Sequence, residues 1–65
     1  MKLIVNGSAR ELEAADLAAA LAALDYGDAV VATAVNGAFV PARAREETAL
    51  TDGDRIEIVS PRQGG

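Results

Sequence analysis

The stretch that decides the fold is DLAAALAAL, residues 16–24, in the first half of the chain. Its leucines recur at spacings of four and three residues, which places all of them on one face of a helix. The alanines between them are the strongest helix formers. Asp16 is expected to cap the first turn through its carboxylate, and Gly27 is expected to end the helix in a left-handed conformation.

The segment before the helix has the pattern of a β-hairpin. Residues 2–5 are mostly apolar and β-branched, and Asn6-Gly7 follows them directly. Asn-Gly is the strongest short hairpin signal, because a type I′ turn needs positive φ at both central residues. Residues 8–13 are more polar, and their charges suit a strand near the edge of a sheet.

The segment after the helix predicts two further strands. Residues 30–36 are nearly all apolar or β-branched, as in a strand covered on at least part of both faces. A second Asn-Gly pair, residues 36–37, again marks a turn. Residues 38–41 form a short strand that Pro41 ends, since proline cannot donate to a ladder. Within it, Phe39 is expected in the core or half-buried.

The last part of the folded region contains a charged segment and one more strand. Residues 42–50 are predicted to form an exposed loop or a turn of helix, with Leu50 as an anchor to the core. Residues 55–59 alternate between polar and apolar side chains, so they are predicted to be a strand with Ile56 and Ile58 facing inward.

The order of elements is therefore β-β-α-β-β-β. A helix between two hairpin-like regions must bury its leucines on one face of a single mixed sheet. With the first and last strands side by side in the centre, this α+β arrangement is a β-grasp, or ubiquitin-like, fold. We expect residues 1–59 to form this domain and residues 60–65 to form a flexible C-terminal tail, because the tail has no large apolar residue.

The composition excludes several kinds of catalytic site. The 65 residues include no cysteine and no histidine, which rules out Cys-His and Ser-His-Asp catalysis within the chain and zinc sites built on those ligands. Fifteen residues are alanine, and so short a chain leaves little room for a deep pocket. The carboxylates that could suggest acid–base work are interpreted as turn and loop residues: Asp52, Asp54, Glu46 and Glu47.

Charge and hydropathy limit the partners. The net charge of −4 disfavours nucleic acid, whose phosphates attract basic surfaces. The sequence contains no apolar run long enough to span a membrane or to form a signal-peptide core. We expect a cytoplasmic protein that is a monomer when free.

The tail is the candidate site. It reads Ser-Pro-Arg-Gln-Gly-Gly, and it ends with Gly64-Gly65 and a free carboxylate. Glycine has no Cβ, so the two glycines can thread a slot that other residues would block. An ionised carboxylate is a poor electrophile, so it becomes reactive only after activation, for example as an acyl-adenylate made with ATP by a second protein.

Several segments together resemble a known family. They are Asn6-Gly7, AVNGAFVP at residues 34–41, LTDGDRIEIV at residues 50–59, and the terminal Gly64-Gly65. Over nearly its whole length the chain resembles the ThiS family, the small ubiquitin-like sulfur carriers of bacterial thiamin biosynthesis. The chain departs from part of the family in one respect: its segment after Pro41 contains no aromatic residue.

The resemblance implies that the chain is a protein co-substrate and not an enzyme. An E1-like, ThiF-like enzyme would adenylate Gly65 with ATP, and a sulfur donor would convert it to a thiocarboxylate. A ThiG-like thiazole synthase would then receive the sulfur. No cofactor or metal would be bound by the chain itself. Four residues would thread the partner's channel: Pro61, Arg62, Gln63 and Gly64.

Other functions share these features. The small subunit of molybdopterin synthase has the same fold, end and thiocarboxylate, although those chains are usually longer. Sulfur carriers of other pathways are a further alternative. In a different class, the chain could be a ubiquitin-like modifier, or a non-covalent β-grasp binding module whose glycines are only a flexible end.

Overall fold

The computed structural model describes residues 1–60. One α-helix, one 3₁₀ helix and five strands follow one another in this part of the chain: β1 (Lys2–Val5), β2 (Ser8–Glu11), α1 (Leu17–Ala23), β3 (Ala32–Val35), β4 (Ala38–Val40), the 3₁₀ helix (Ala42–Glu47) and β5 (Arg55–Val59). This order confirms the predicted β-β-α-β-β-β pattern, with the 3₁₀ helix in the charged segment before β5.

The strands form one mixed sheet in the order β2-β1-β5-β3-β4. β1 and β5 are parallel neighbours in its middle, and the other neighbouring strands are antiparallel. The first and last strands are therefore central, and the fold is the expected α+β β-grasp. β2 lies at one edge, as its charged residues indicated.

The core lies between α1 and one face of the sheet. Leu17 and Leu21 of the helix are buried, as is Ala20 between them. The sheet contributes its inward-facing side chains, and Leu50 closes the core from the loop before β5. These sheet residues are Leu3, Val5, Val40, Ile56 and Ile58. Ile56, Ile58 and Leu50 are thus buried as predicted.

The helix begins as predicted but ends earlier. Asp16 is the N-cap, and its Oδ1 accepts from the Ala19 amide at 2.8 Å. At the other end the left-handed residue is Asp25, with φ of 69°, so the prediction for Gly27 is wrong. The amides of Asp25 and Tyr26 donate to the carbonyls of the last helical turn, at 3.1 and 2.8 Å. The helix ends two residues earlier than it would if Gly27 were its left-handed terminal residue. Asp25 therefore takes the left-handed conformation, which is strained for a residue other than glycine.

Two apolar residues expected inside lie on the surface. Phe39 is 70% exposed, so its predicted burial is wrong. Side chains alternate along a strand, and Val40 occupies the inward position of β4, which turns Phe39 outward. Val30 is 75% exposed because β3 begins only at Ala32, two residues later than the apolar run predicts.

Candidate functional site

The predicted site residues follow directly on the central strand. β5 ends at Val59, and Ser60 is the last residue that the structure describes. Pro61, Arg62 and Gln63 lie outside the described residues, as do both terminal glycines. The structure therefore describes the strand end from which these residues continue.

On one side, β5 is paired with β3 up to its last residue. The antiparallel ladder runs from the Val35–Ile56 pair to the Ala32–Val59 pair. The strand end that precedes the predicted tail is thus a full member of the sheet on this side.

On the other side, β1 pairs with β5 over a shorter length, and a side chain extends the contact. The parallel ladder includes the Ile4–Arg55 and Val5–Ile56 pairs, and the Asn6 amide donates to the Ile56 carbonyl at 2.9 Å. The chain then turns away. The carboxamide of Asn6 accepts from the Ile58 amide at 2.8 Å and donates to the Ile58 carbonyl at 3.2 Å.

The second Asn-Gly turn contacts the opposite end of β5. The carboxamide Oδ1 of Asn36 accepts from the Arg55 amide at 3.0 Å, and its Nδ2 donates to the Asp54 carboxylate at 3.0 Å. Both turns were predicted from the sequence, but these side-chain contacts were not. The choice of asparagine could have indicated these contacts. Asp-Gly or Gly-Gly would build the same turn, but neither supplies a side-chain carboxamide that both donates and accepts.

The acidic residues near this turn have structural contacts. The Asp54 carboxylate accepts from the Thr51 amide at 2.9 Å, and this hydrogen bond, followed by that from Asn36, lowers the pKa of Asp54. Asp52 accepts from the Lys2 amide at 2.6 Å. Both contacts agree with the interpretation of these carboxylates as turn residues. Within residues 1–60, no group of three or more metal-ligating side chains lies together.

The sheet face turned away from α1 carries exposed apolar side chains. Val59 is 59% exposed and lies beside Ala32, while Phe39 lies across Ala34 from Glu57. We call this surface the outer sheet face. Its members are Ile4, Ala32, Ala34, Phe39, Arg55, Glu57 and Val59. A depression of about 220 Å³ crosses β5 on this side, between Gly7 and Gly37; pockets that enclose small molecules generally exceed about 300 Å³.

Known proteins resemble this chain over its whole length. The family profile of ThiS matches residues 3–65, which include the central strand and the terminal glycines. The chain belongs to the ThiS family. The chain is 32% identical in sequence to a thiamine biosynthesis protein, ThiS, from Geobacter metallireducens, and its structure matches the crystal structure of that protein with a TM-score of 0.78. The alignment covers 100% of each chain. No curated protein sequence matches the chain significantly.

Membership of the ThiS family and the full-length structural match support a sulfur carrier of thiamin biosynthesis. A carrier of this kind is a small protein and not a catalyst. In the part of the chain that the structure describes, no helix is long and apolar enough to cross a membrane.

Proposed function

We propose that the protein carries sulfur on Gly65, as a thiocarboxylate formed from an adenylated C-terminus, for thiazole formation in thiamin biosynthesis. The observation that carries the proposal is the extent of the ThiS family match, which runs through residue 65 and includes Gly64-Gly65. The central position of β5 supports it, because the residues that follow Val59 start from a strand that is paired on both sides.

The proposed chemistry has three steps. A carboxylate oxygen of Gly65 attacks the α-phosphorus of ATP and displaces pyrophosphate, which leaves an acyl-adenylate. The terminal sulfur of a persulfide donor attacks the acyl carbon and displaces AMP, so that the carrier and donor are joined by an acyl disulfide. A thiol reductant then attacks the donor's sulfur. This releases the thiocarboxylate on Gly65 and leaves the donor and the thiol as a disulfide.

The composition indicates which reacting groups this chain supplies and which its partner proteins supply. The chain has no cysteine, so the persulfide must come from a partner protein. The proposed partners are a ThiF-like adenylating enzyme, which uses ATP, and a ThiG-like thiazole synthase, which receives the sulfur. The chain itself binds no cofactor in this scheme and contributes one carboxylate on a narrow segment.

The outer sheet face is the proposed contact surface for the adenylating enzyme. Phe39 is a large exposed aromatic side chain, and aromatic residues are common at the energetic centre of protein interfaces. Val59 extends the apolar surface to the end of β5. A partner seated on this face would therefore lie next to the point from which the predicted tail continues.

Reconstitution with purified partners tests the proposal. The full chain is incubated with a ThiF-like enzyme, ATP, a persulfide donor and a thiol reductant, and its intact mass is measured. We expect a mass increase equal to the replacement of one oxygen by sulfur, located at Gly65 by fragmentation. Deletion of Gly65 should abolish the product while the circular dichroism spectrum and the melting temperature stay unchanged. If the wild-type mass does not change under these conditions, the carrier function is wrong.

The pathway is tested separately. The thiocarboxylated protein is supplied to a ThiG-like thiazole synthase and, in parallel, to the large subunit of molybdopterin synthase. We expect sulfur transfer in the first reaction only. Transfer in the second reaction alone would keep the carrier chemistry and reassign the pathway to molybdopterin.

A further inference from the structure

The Asn6 side chain continues the hydrogen bonding of β1 to β5 after β1 has ended at Val5. β1 turns away at Asn6, whose φ of 50° belongs to a left-handed turn and not to a strand. A carboxamide carries one acceptor and one donor group, like a peptide unit. Its two hydrogen bonds to the backbone of Ile58 therefore add one more rung to the β1 side of β5, beyond the end of the backbone ladder.

With the hydrogen bonds from Asn6, the last part of β5 is bonded on both of its sides. The Ile58 side chain is buried on the helix-facing side of the sheet, and its amide and carbonyl point toward Asn6. The residues on either side, Glu57 and Val59, lie opposite Ala34 and Ala32 of β3. Ile58 is thus held by packing and by Asn6, and only Val59 separates it from the predicted tail, residues 60–65.

The other Asn-Gly turn provides a matched comparison within the same molecule. Asn36 has nearly the same φ, 51°, and its glycine nearly the same φ as Gly7, at 86° and 85°. Its carboxamide also contacts the backbone of β5, but at Arg55, where the strand begins. The two asparagines therefore have similar turns and similar contacts at opposite ends of one strand.

We infer that Asn6 is a positioning residue for the adenylation of Gly65: its carboxamide fixes the end of β5 and so sets the point from which residues 61–65 reach the enzyme. This inference rests on the proposed function. If the body docks first, a frayed strand end spreads the starting positions of the residues that follow, and fewer bound complexes place the carboxylate near ATP. Loss of the contact then lowers kcat, since misplacement of a reacting group slows the chemical step.

The test compares Asn6→Gly with Asn36→Gly in the full-length protein. Both variants keep the turn, because glycine adopts positive φ without strain. Pyrophosphate exchange catalysed by a ThiF-like enzyme with ATP is measured against carrier concentration, at a temperature where both variants remain folded. We expect Asn6→Gly to lower kcat about five- to tenfold with little change in KM, and Asn36→Gly to leave both constants near the wild-type values.

The split between the constants separates positioning from stability. A variant that only unfolds more often lowers the concentration of active carrier, which raises the apparent KM and leaves kcat unchanged. Asn6→Asp is the second variant: it keeps the acceptor for the Ile58 amide but places a second acceptor opposite the Ile58 carbonyl. We expect its kcat to lie between those of the wild type and Asn6→Gly.

Hydrogen exchange of the free protein gives an independent measurement. Asn6→Gly should speed exchange of the Ile58 amide at least tenfold relative to that of Leu3, and Asn36→Gly should instead affect the Arg55 amide. Equal kcat for the two glycine variants, or an unchanged Ile58 exchange rate in Asn6→Gly, would overturn the inference. If the wild-type protein supports no pyrophosphate exchange, the proposed function itself fails. This result differs from the two outcomes that overturn only the role of Asn6.

Discussion

The guanidinium of Arg45 donates through Nε to the hydroxyl of Thr33, at 3.1 Å. Thr33 is a buried polar residue of the core, and its hydroxyl donates in turn to the Val40 carbonyl at 2.8 Å. A second nitrogen of Arg45 donates to the Val31 carbonyl at 2.7 Å. Arg45 of the 3₁₀ helix thus bonds directly to Thr33 and Val31, and the Thr33 hydroxyl links it to Val40 of β4.

Replacement of Arg45 is expected to destabilise the domain. Arg45→Met keeps much of the apolar stem but removes both hydrogen bonds, and hydrogen bonds from charged groups contribute about 1.5–3 kcal/mol when buried. Since Arg45 is only partly buried, we expect a loss of about 1–2 kcal/mol in the free energy of unfolding, measured with urea. Arg43→Met, at an exposed neighbouring position, should change it by less than about 0.5 kcal/mol. Equal effects of the two variants would argue against the role of the Arg45 contacts.

The complete burial of Ala20 predicts a second stability effect. Ala20 is fully buried, whereas Ala22 on the same helix is exposed. Ala20→Leu forces additional atoms into a filled space and should cost about 1–3 kcal/mol. Ala22→Leu adds the same atoms in solvent and should stay within about 0.5 kcal/mol of the wild type. Chemical unfolding of both variants measures the difference, and a neutral Ala20→Leu would mean that the core has room beneath the helix.

The lowered pKa of Asp54 predicts an acid-dependent contribution to stability. Because the folded pKa lies below the unfolded value of about 3.9, the contribution is fully present above that value and disappears as the pH falls through the folded pKa. The difference in unfolding free energy between the wild type and Asp54→Asn should therefore be constant near neutral pH and shrink below about pH 4.

The measurement is a series of urea unfolding curves at decreasing pH. Asp28→Asn removes the same charge from an exposed loop residue and controls for the change in net charge. A difference between the wild type and Asp54→Asn that stays constant down to about pH 2.5 would contradict the assignment.

The proposed contact surface predicts a loss of affinity without a loss of stability. Phe39→Asp places a charge on the outer sheet face, at the edge strand β4, and should raise the KM for a ThiF-like enzyme about tenfold, as expected for a buried interface anchor. The free energy of unfolding should change by less than about 0.5 kcal/mol, because Phe39 is exposed. Ala19→Asp adds the same charge on the helix, on the opposite side of the sheet. An equal KM effect from both variants would place the contact elsewhere.

The sequence predicted the elements whose signals are local. The Asn-Gly turns, the Asp16 cap, and the alternation of Ile56 and Ile58 each depend on neighbours a few residues away, and all are confirmed. The central pairing of β1 with β5 was the condition on which the β-grasp prediction depended, and the strand order confirms it.

What could not be predicted depends on contacts distant in sequence. The orientation of Phe39 depends on which residue of β4 lies opposite Thr33 on the inner face, and a three-residue strand carries too few residues to fix that register by pattern. The helix ends at Ala23, so Asp25 and not Gly27 takes the left-handed position. The contact of Asn6 with Ile58 spans most of the chain, so no local spacing reveals it.

The parallel pairing of β1 and β5 has a mechanical consequence. A load applied beyond Val59, along the axis of β5, acts in shear on the hydrogen bonds to β1 and β3 together, so they must break at the same time. A strand at the edge of a sheet would instead peel away one bond after another. An enzyme that draws the end of this chain into a narrow channel can therefore exert tension on it, and the sheet resists extraction of the strand.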